Sequence, residues 1–293
     1  VEKELGINKD DVGKTISVSE YNEACKSAVM KYTRSWNHLT EKMGYWVDVD
    51  SPYITYENKY IESVWFLIQR LYKKKLIYKG YTIQPYSPAA GTGLSSHELN
   101  QPGCYRLVKD LSVYALFKIV SSESIIKTRL PVFFMAWTTT PWTLFANTGL
   151  AVGLGIRYSI VETINPYSLE NILVVCAEEC LAKVFNSELE GVSIDGFDKS
   201  KIKPGFTPYF IVDSCTGKDL INIRYEQLLK YVQPPENPEG AFRVVSGDFV
   251  NTSDGTGIVH LAPTFGADDF NLAKKAGLPL MMVVRDKKMV PIV

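Results

Sequence analysis

Histidine, cysteine and long apolar runs are all scarce in this chain of 293 residues. It contains three histidines and five cysteines, and an odd, sparse cysteine set suits a reducing compartment better than a disulfide framework. No apolar run approaches the ~18 to 20 residues that a membrane span requires, and residues Val1 to Glu4 lack the charge order and apolar stretch of a signal peptide. We therefore expect a soluble, cytoplasmic protein with no membrane partner.

An excess of charge of one sign is missing as well. The 32 Lys and Arg residues balance 32 Asp and Glu residues, and the isoelectric point is about 7.0. This balance excludes a strongly basic nucleic-acid coat. With 46% hydrophobic residues, the chain is able to bury a sizeable core in one large or two ordinary domains. Because it starts without Met and stops abruptly at Val293, we expect a fragment of a larger protein.

The sequence also lacks the common catalytic signatures. It has no Gly-x-Ser-x-Gly elbow, no phosphate-binding Gly-x-x-x-x-Gly-Lys-Ser/Thr and no Gly-x-Gly-x-x-Gly that opens a helix after a strand. A Ser-His-Asp hydrolase and nucleotide triphosphate chemistry are therefore not expected. Cys176 and Cys180 have no second Cys or His pair at metal-site spacing, so we interpret them as part-buried thiols on a helix and predict no metal.

The first 110 residues are predicted to form a helical segment. Ser17 and Glu20 have the spacing of a capping box, and apolar residues follow in steps of three and four as far as Met43. This pattern predicts one helix that ends at Gly44. A second apolar face runs from Ile61 to Tyr72 and predicts another helix.

The periodicity changes near residue 111, where short apolar or alternating runs between turn residues predict strands. The predicted strands cover residues 112–119, 130–137, 172–176, 210–212, 242–245 and 257–261, and helical stretches are predicted at 178–185 and 220–232. We therefore predict a mixed α+β, mainly β fold, with a barrel-like or strongly bent sheet and flanking helices from 111 to 293. A helical linking segment from 1 to 110 precedes it.

Four hydroxyl groups lie within six residues at the end of the predicted strand 130–137. The string from Trp137 to Leu144 reads Trp-Thr-Thr-Thr-Pro-Trp-Thr-Leu. One interpretation is that these threonines only pack at a strand end, since β-branched residues suit a pleated surface. However, successive threonines alternate between the faces of a strand, and Pro141 forces a turn that leaves backbone amides available. The alternative interpretation is a polar clamp for a small substrate.

A second polar segment runs from Gly255 to Phe270. Its glycines allow close backbone approach, the residues up to His260 resemble a short strand, and a turn leads into a helix whose first turn holds Asp268 and Asp269. Acidic residues in a first turn commonly complement the helix dipole, and a histidine at a strand end is commonly structural. The alternative interpretation is that one imidazole and one carboxylate meet across a tight turn.

Together the two segments resemble the editing domain of isoleucyl-tRNA synthetase, an insertion in that enzyme's catalytic domain. The resemblance rests on Trp-Thr-Thr-Thr-Pro-Trp-Thr-Leu and on Gly-Thr-Gly-Ile-Val-His followed by Ala-Pro and Gly-Ala-Asp-Asp. It covers nearly the whole chain, with upstream segments at 43–46, 62–65, 76–81, 85–88 and 94–98. Valyl relatives usually lack the triple Thr before Pro-Trp, and leucyl relatives carry a Thr-Arg-Pro-Asp-type string there, so the motif pair is specific.

The resemblance implies hydrolysis of valine wrongly esterified to the isoleucine tRNA and, by extension, of valyl-adenylate. Asp269 would hold the α-ammonium group of the substrate, and His260 would contact the side chain or ribose and limit the pocket size. The catalytic candidates are Asp269, Thr139, Thr140 and His260. The substrate-binding candidates are Trp137, Thr138, Thr143, Asn147 and Asp268.

The implied partners are the 3′ end of the isoleucine tRNA, the mischarged valine and the parent catalytic domain. ATP and Mg²⁺ would belong to that domain, because His-Ile-Gly-His and Lys-Met-Ser-Lys-Ser are absent here and this chain cannot charge tRNA. Ser87 to Ala90 replaces a Cys-x-x-Cys found in many relatives, so we expect no zinc there. Phe145 stands where Pro is common, and Thr264-Phe265 where Gly-His often occurs.

Two other functions remain open. One is the editing domain of a valyl enzyme, which removes threonine. The other is a non-catalytic tRNA-docking module in which the Thr-rich strand serves packing and residues from Lys73 to Lys79 bind phosphate, since a local basic patch suffices for docking in a neutral chain.

Overall fold

The computed structural model describes residues 1–80, 82–121, 125–282, 284–285 and 288–291. Tyr81, the last residue of one segment in the resemblance, lies outside them, as do parts of the predicted 111–293 domain. The chain divides into two compact units, Val1–Gly80 and Tyr81–Val293. The boundary predicted between residues 110 and 111 falls within the second unit, shortly before its first long strand.

Helices make up the first unit: α1 (Glu2–Leu5), α2 (Val18–Met30), α3 (Thr33–Lys42) and α4 (Asn58–Lys73). The capping box is confirmed, since the amide of Glu20 donates to Ser17 Oγ and the amide of Ser17 donates to the Glu20 carboxylate. The prediction of one continuous helix up to Gly44 was wrong. Tyr32 leaves helical geometry at ψ 11°, where aromatic and β-branched neighbours have low helix propensity.

The apolar faces of these helices are exposed. No residue of the described first unit is buried, and Trp36 on α3 and Trp65 on α4 are 66% and 65% exposed. Since burial of such residues normally drives helix packing, this unit presents apolar surface that its own helices do not cover.

Strands dominate the second unit. A short hairpin, β1 (Tyr86–Ser87) with β2 (Thr92–Gly93), and α5 (Ser96–Leu99) come first. The remaining strands are β3 (Val113–Lys118), β4 (Val132–Thr138), β5 (Gly149–Val152), β6 (Arg157–Ile164), β7 (Asn171–Ala177), β8 (Tyr209–Thr216), β9 (Arg243–Ser246), β10 (Ile258–Leu261), β11 (Val284–Arg285) and β12 (Lys288–Pro291). Among the described residues of this unit, the helices α6 (Leu181–Val184), α7 (Gly217–Leu220) and α8 (Ala267–Ala276) accompany these strands.

Two sheets position the site. The larger has the order β3-β4-β7-β6-β8, with β4 and β7 parallel and the other neighbours antiparallel. The smaller has the order β10-β5-β9. Fully buried residues from both sheets, including Phe117, Phe134, Leu150 and Ile258, belong to one hydrophobic cluster, so the main core lies between the sheets. The fold is therefore mixed α+β. The described strands form open sheets, and the predicted barrel is not confirmed.

Two local predictions need correction. The predicted helix at 220–232 is absent, because the residues around Ile223 alternate in and out of the core and pair with β9. The amide of Asn222 donates to Val244, and the amide of Val244 donates to Ile223. Cys176 lies on β7 and not on a helix. Burial in that strand raises the pKa of its thiol to about 12.

Within the described residues, every helix is too short or too polar to cross a bilayer.

Candidate functional site

A cleft of about 630 Å³ opens where the ends of several elements meet. Its walls come from the end of β4 and the turn after it, the loop that leads into β10, and the start of α8. The cleft brings together Trp137, the threonines 138–140, Thr143, His260 and Asp269. Both sequence motifs therefore contribute to one cavity, although more than a hundred residues separate them.

The threonine turn forms a hydrogen-bonded chain at one wall. Strand β4 ends at Thr138, and Pro141 then opens a 3₁₀ turn, Pro141–Ala146. The Oγ1 atom of Thr140 lies 3.2 Å from that of Thr138 and 3.3 Å from that of Thr143. The backbone amide of Thr140 donates to Thr138 Oγ1 at 3.0 Å. These contacts fix three of the four hydroxyls in the string.

Thr139 differs from its neighbours. Its side chain is exposed at the cleft and makes no hydrogen bond with any described residue. The alternation of side chains along a strand explains this difference, because Thr138 points to the buried side and Thr139 to the open side. Thr139 therefore supplies the free hydroxyl group of this wall.

His260 closes the inner end of the chain of threonines. It lies on β10, is only 7% exposed, and its Nε2 atom lies 3.2 Å from Thr143 Oγ1. Burial lowers the pKa of the imidazole to about 4, because a charged ring loses its hydration there. His260 is therefore a neutral group at pH 7 and takes part in hydrogen bonds only.

Asp269 lies in the first turn of α8. One of its carboxylate oxygens accepts a hydrogen bond of 2.8 Å from the amide of Ala262, just after β10. A Cβ atom at position 266 would stand 2.8 Å from the Asp269 carboxyl carbon, so Gly266 is needed for this approach. Burial raises the pKa of Asp269, and the Ala262 hydrogen bond partly offsets that effect. The carboxylate is thus half-buried, fixed in place and open to a cationic partner.

The loop before β10 needs its glycines. Gly255 and Gly257 both have a φ of +71°, a conformation that favours glycine. A Cβ atom at Gly257 would lie 2.4 Å from the Cβ of Ala177 on β7, and one at Gly255 would lie 3.2 Å from the ring of Trp137. The two glycines let this loop approach the larger sheet and form the cleft wall.

Two predicted substrate-binding residues lie elsewhere. Asn147 is buried behind the turn, where its side-chain amide donates to the carbonyls of Gly149 and Leu261 and its oxygen accepts from the hydroxyl of Tyr225. Its position indicates a structural role. Asp268 does not line the cleft and faces a separate groove beside Asp248. Neighbouring residues on a helix point about 100° apart, so only one of the two acids faces the cleft.

The sequence interpretation missed one part of the cleft wall. Asn251, Ser253 and Asp254 line the cavity. Lys183 holds this loop in place, because its ammonium group donates to the carbonyls of Thr252 and Ser253. The polar run before Gly255 was visible in the sequence, but nothing in the sequence indicated its anchor on Lys183.

Within the described part of the chain, no group of three or more His, Cys, Asp or Glu side chains is arranged to hold a metal ion.

Comparison with known proteins identifies the family. Residues 1–250 match the model of the class I tRNA synthetases of the I, L, M and V group. The chain belongs to this family. The match extends over both the helical first unit and most of the second.

Isoleucine–tRNA ligases are among its similar relatives. The chain is 56% identical to the ligase of Porphyromonas gingivalis and 54% identical to that of Cytophaga hutchinsonii, each over 98% of this chain and 25% of the relative. The ligase of Clostridium tetani is 38% identical over 97% of this chain and 24% of that protein. This synthetase segment thus spans about a quarter of the length of these relatives.

Solved structures also match this synthetase segment. The editing domain of the cytosolic leucyl-tRNA synthetase from P. knowlesi is 13% identical, with a TM-score of 0.40, over 58% of this chain and 66% of that one. A second match, the structure of GlLeuRS-CP1, is 16% identical with a TM-score of 0.38, over 56% of this chain and 60% of that one.

Proposed function

We propose that this segment is the editing part of an isoleucine–tRNA ligase, which hydrolyses valine esterified to the isoleucine tRNA and, by extension, valyl-adenylate. One observation carries the proposal: the Asp269 carboxylate and the hydroxyl-bearing turn after Trp137 line the same cleft. Membership of the class I synthetase family and the isoleucine ligase relatives support it.

The cleft has the charge that an aminoacyl ester requires. Such an ester carries a free α-ammonium group, and the half-buried Asp269 is the carboxylate held rigidly in the wall by a backbone donor. A charge-assisted contact in partly desolvated surroundings is stronger than one in water. Asp269 would orient the ester, and the Thr139 hydroxyl in the same cleft would contact the ester or the terminal ribose.

The chemistry requires no protein nucleophile. An aminoacyl ester is already activated, so a water molecule placed beside the ester carbon reacts once the two are held together. His260 is neutral at pH 7, since burial lowers its pKa to about 4, and its ring is hydrogen-bonded to the Thr143 hydroxyl. Its place in the wall indicates a role in shaping the pocket and accepting or donating hydrogen bonds, and not in carrying charge.

Selection by size explains why a separate site is needed. One methylene group changes binding in an apolar pocket by only about 1–3 kcal/mol, a general limit for which isoleucine–tRNA ligases already serve as the illustration. A second pocket that admits valine and excludes isoleucine adds another selection step. The large aromatic and buried groups of the cleft, including Trp137 and His260, would set this upper size limit.

Deacylation kinetics test the proposal. The chain, and a full-length isoleucine–tRNA ligase that contains it, should release valine from valyl-tRNA(Ile), and Asp269→Ala should reduce the rate by about 100-fold, the order lost when one charged contact of about 3 kcal/mol disappears. Asp268→Ala is a matched control, because this neighbouring acid faces another groove. Unchanged turnover in Asp269→Ala would rule out the assignment. Faster release of threonine than of valine would favour a valyl enzyme, and tRNA binding without any release would favour a docking module.

The remaining partners follow from the same proposal. The uncovered apolar faces around Trp36 and Trp65 would pack on the catalytic domain of the whole ligase, and ATP with Mg²⁺ would act there and not in this cleft. The 3′ end of the isoleucine tRNA would deliver the mischarged valine.

A further inference from the structure

We propose that Thr143 is a positioning residue, whose hydroxyl group holds His260 in the tautomer that carries its proton on Nε2. The buried Nδ1 atom of His260 is then a hydrogen-bond acceptor without a proton. The tautomer is inferred from hydrogen-bond geometry alone, and only its effect on deacylation rests on the proposed function.

A threonine hydroxyl group has a single proton to donate. Thr143 Oγ1 lies 2.7 Å from the backbone carbonyl oxygen of Thr140. A carbonyl oxygen only accepts hydrogen bonds, so the Thr143 proton must point to it. Thr143 Oγ1 therefore has only lone pairs left for its remaining neighbours.

The second contact then has one possible direction. His260 Nε2 lies 3.2 Å from Thr143 Oγ1, and this oxygen has no second proton to give. The hydrogen bond forms only if Nε2 carries the proton and donates it. The Oγ1 atom of Thr140, at 3.3 Å from Thr143 Oγ1, does not compete, because an sp³ hydroxyl oxygen accepts two hydrogen bonds.

The other ring nitrogen supports the same assignment. His260 Nδ1 is buried and has no hydrogen-bond partner among the described residues. Burial also keeps the ring neutral at pH 7, since it lowers the pKa to about 4. A neutral ring with its proton on Nε2 has a lone pair on Nδ1, and a buried polar atom without a partner commonly marks a functional position.

This tautomer limits what His260 is able to do. A bare Nδ1 receives a hydrogen bond from an O–H donor and repels a carbonyl oxygen or a developing oxyanion. Because Nδ1 is buried and bare and Nε2 donates to Thr143, His260 has no N–H left for the ester oxygen, and its ring would shape the cleft wall in one fixed orientation. Without the Thr143 hydroxyl, the ring is free to place its proton on either nitrogen.

Nitrogen NMR tests the tautomer directly. The chain labelled with ¹⁵N has only three histidines, and variants His38→Gln and His97→Gln remove the two exposed ones. Long-range proton–nitrogen spectra at pH 7 should show Nε2 of His260 protonated and Nδ1 unprotonated. Thr143→Val should produce a mixture of tautomers, and Thr143→Ser, which keeps the hydroxyl, should restore the single form.

Two results would overturn the proposal. One is a proton on Nδ1 in the unmodified chain, a measurement that needs no variant to fold. The other is an unchanged single tautomer in Thr143→Val, provided that its thermal unfolding matches that of Thr143→Ser.

Kinetics then separate this inference from the proposed function. If the cleft edits, Thr143→Val should reduce the deacylation kcat by about tenfold, the order expected for one lost hydrogen bond, and Thr143→Ser should retain most of it. If the unmodified chain and ligase release no amino acid, the proposed function fails, and the NMR result still decides the tautomer. Equal kcat in Thr143→Val and the unmodified chain would remove the positioning role.

Discussion

Acidification should destabilise this fold through one buried histidine. In the folded chain, burial lowers the pKa of His260 to about 4, against an ordinary value of 6.5. Between about pH 6.5 and pH 4 the unfolded chain therefore binds a proton that the folded chain does not bind. Stability is lost wherever the unfolded state binds more protons and the pH falls, so the loss begins near pH 6.5 and is complete near pH 4.

The two pKa values set the magnitude. Each pH unit between them is worth about 1.4 kcal/mol, so the 1.5 units from 6.5 to pH 5 correspond to about 2 kcal/mol, and the full interval to about 3 kcal/mol. Such a loss is a large part of the 5–15 kcal/mol that stabilises typical folded proteins. It should therefore be visible in an ordinary denaturation experiment.

Urea denaturation of the unmodified chain and of His260→Gln at several pH values measures this effect. A glutamine does not titrate, so the difference in unfolding free energy between the two proteins should shift by about 2 kcal/mol in favour of the variant between pH 7.5 and pH 5. His97→Gln removes an exposed histidine and serves as the matched control; it should follow the unmodified chain. A difference that stays constant with pH would refute the argument, because the buried imidazole would then have no linkage to folding.

Three further predictions concern the cleft and the core. Asp269→Asn should slow deacylation by about the same 100-fold as Asp269→Ala, since both remove the one charged contact. It should also raise the melting temperature at pH 7, because burial raises the carboxyl pKa and so disfavours its charge in the fold. This gain should shrink as the pH falls towards 3.8, and calorimetry at both pH values checks it. Gly257→Ala should cost about 2–3 kcal/mol in urea denaturation, since its Cβ would meet Ala177 at 2.4 Å. Gly196→Ala, also at positive φ but with free space around it, is the control and should cost about 1 kcal/mol; equal losses would show that strain alone matters. Phe117→Ala should cost about 3–5 kcal/mol, because this side chain is fully buried, and a loss below 1 kcal/mol would contradict the packing of the main core.

Predictions from local patterns succeeded where neighbours in sequence decide the structure. The capping box at Ser17 and the helix α4 formed as predicted, and the strands β4 and β10 lie where the apolar runs placed them. In contrast, the segment after Leu220 has helix-like spacing but pairs with β9, since its backbone finds hydrogen-bond partners in that strand. Tertiary pairing overrides a weak local preference.

The candidate site shows the same division. Residue chemistry indicated Asp269, His260 and the threonine turn, and all of them line one cleft. The sequence assigned the α-ammonium contact to Asp269 but did not exclude Asp268 from the site, because the orientation of α8 decides which of two adjacent acids faces the cavity. Nor did it show that the side chain of Asn147 would form hydrogen bonds with backbone carbonyls and with Tyr225.

By itself, the sequence determined the short-range features of this protein: where helices are capped, which runs form strands, and which positions carry hydroxyls, an imidazole and carboxylates. Only the tertiary structure decided that Thr143 and His260, 117 residues apart, share a hydrogen bond, and that Lys183 anchors the loop before Gly255. The reason is physical. Capping and side-chain periodicity act over three or four residues. A cleft, the shifted pKa of a buried group and a fixed tautomer arise only when segments that are distant in sequence pack together and exclude water.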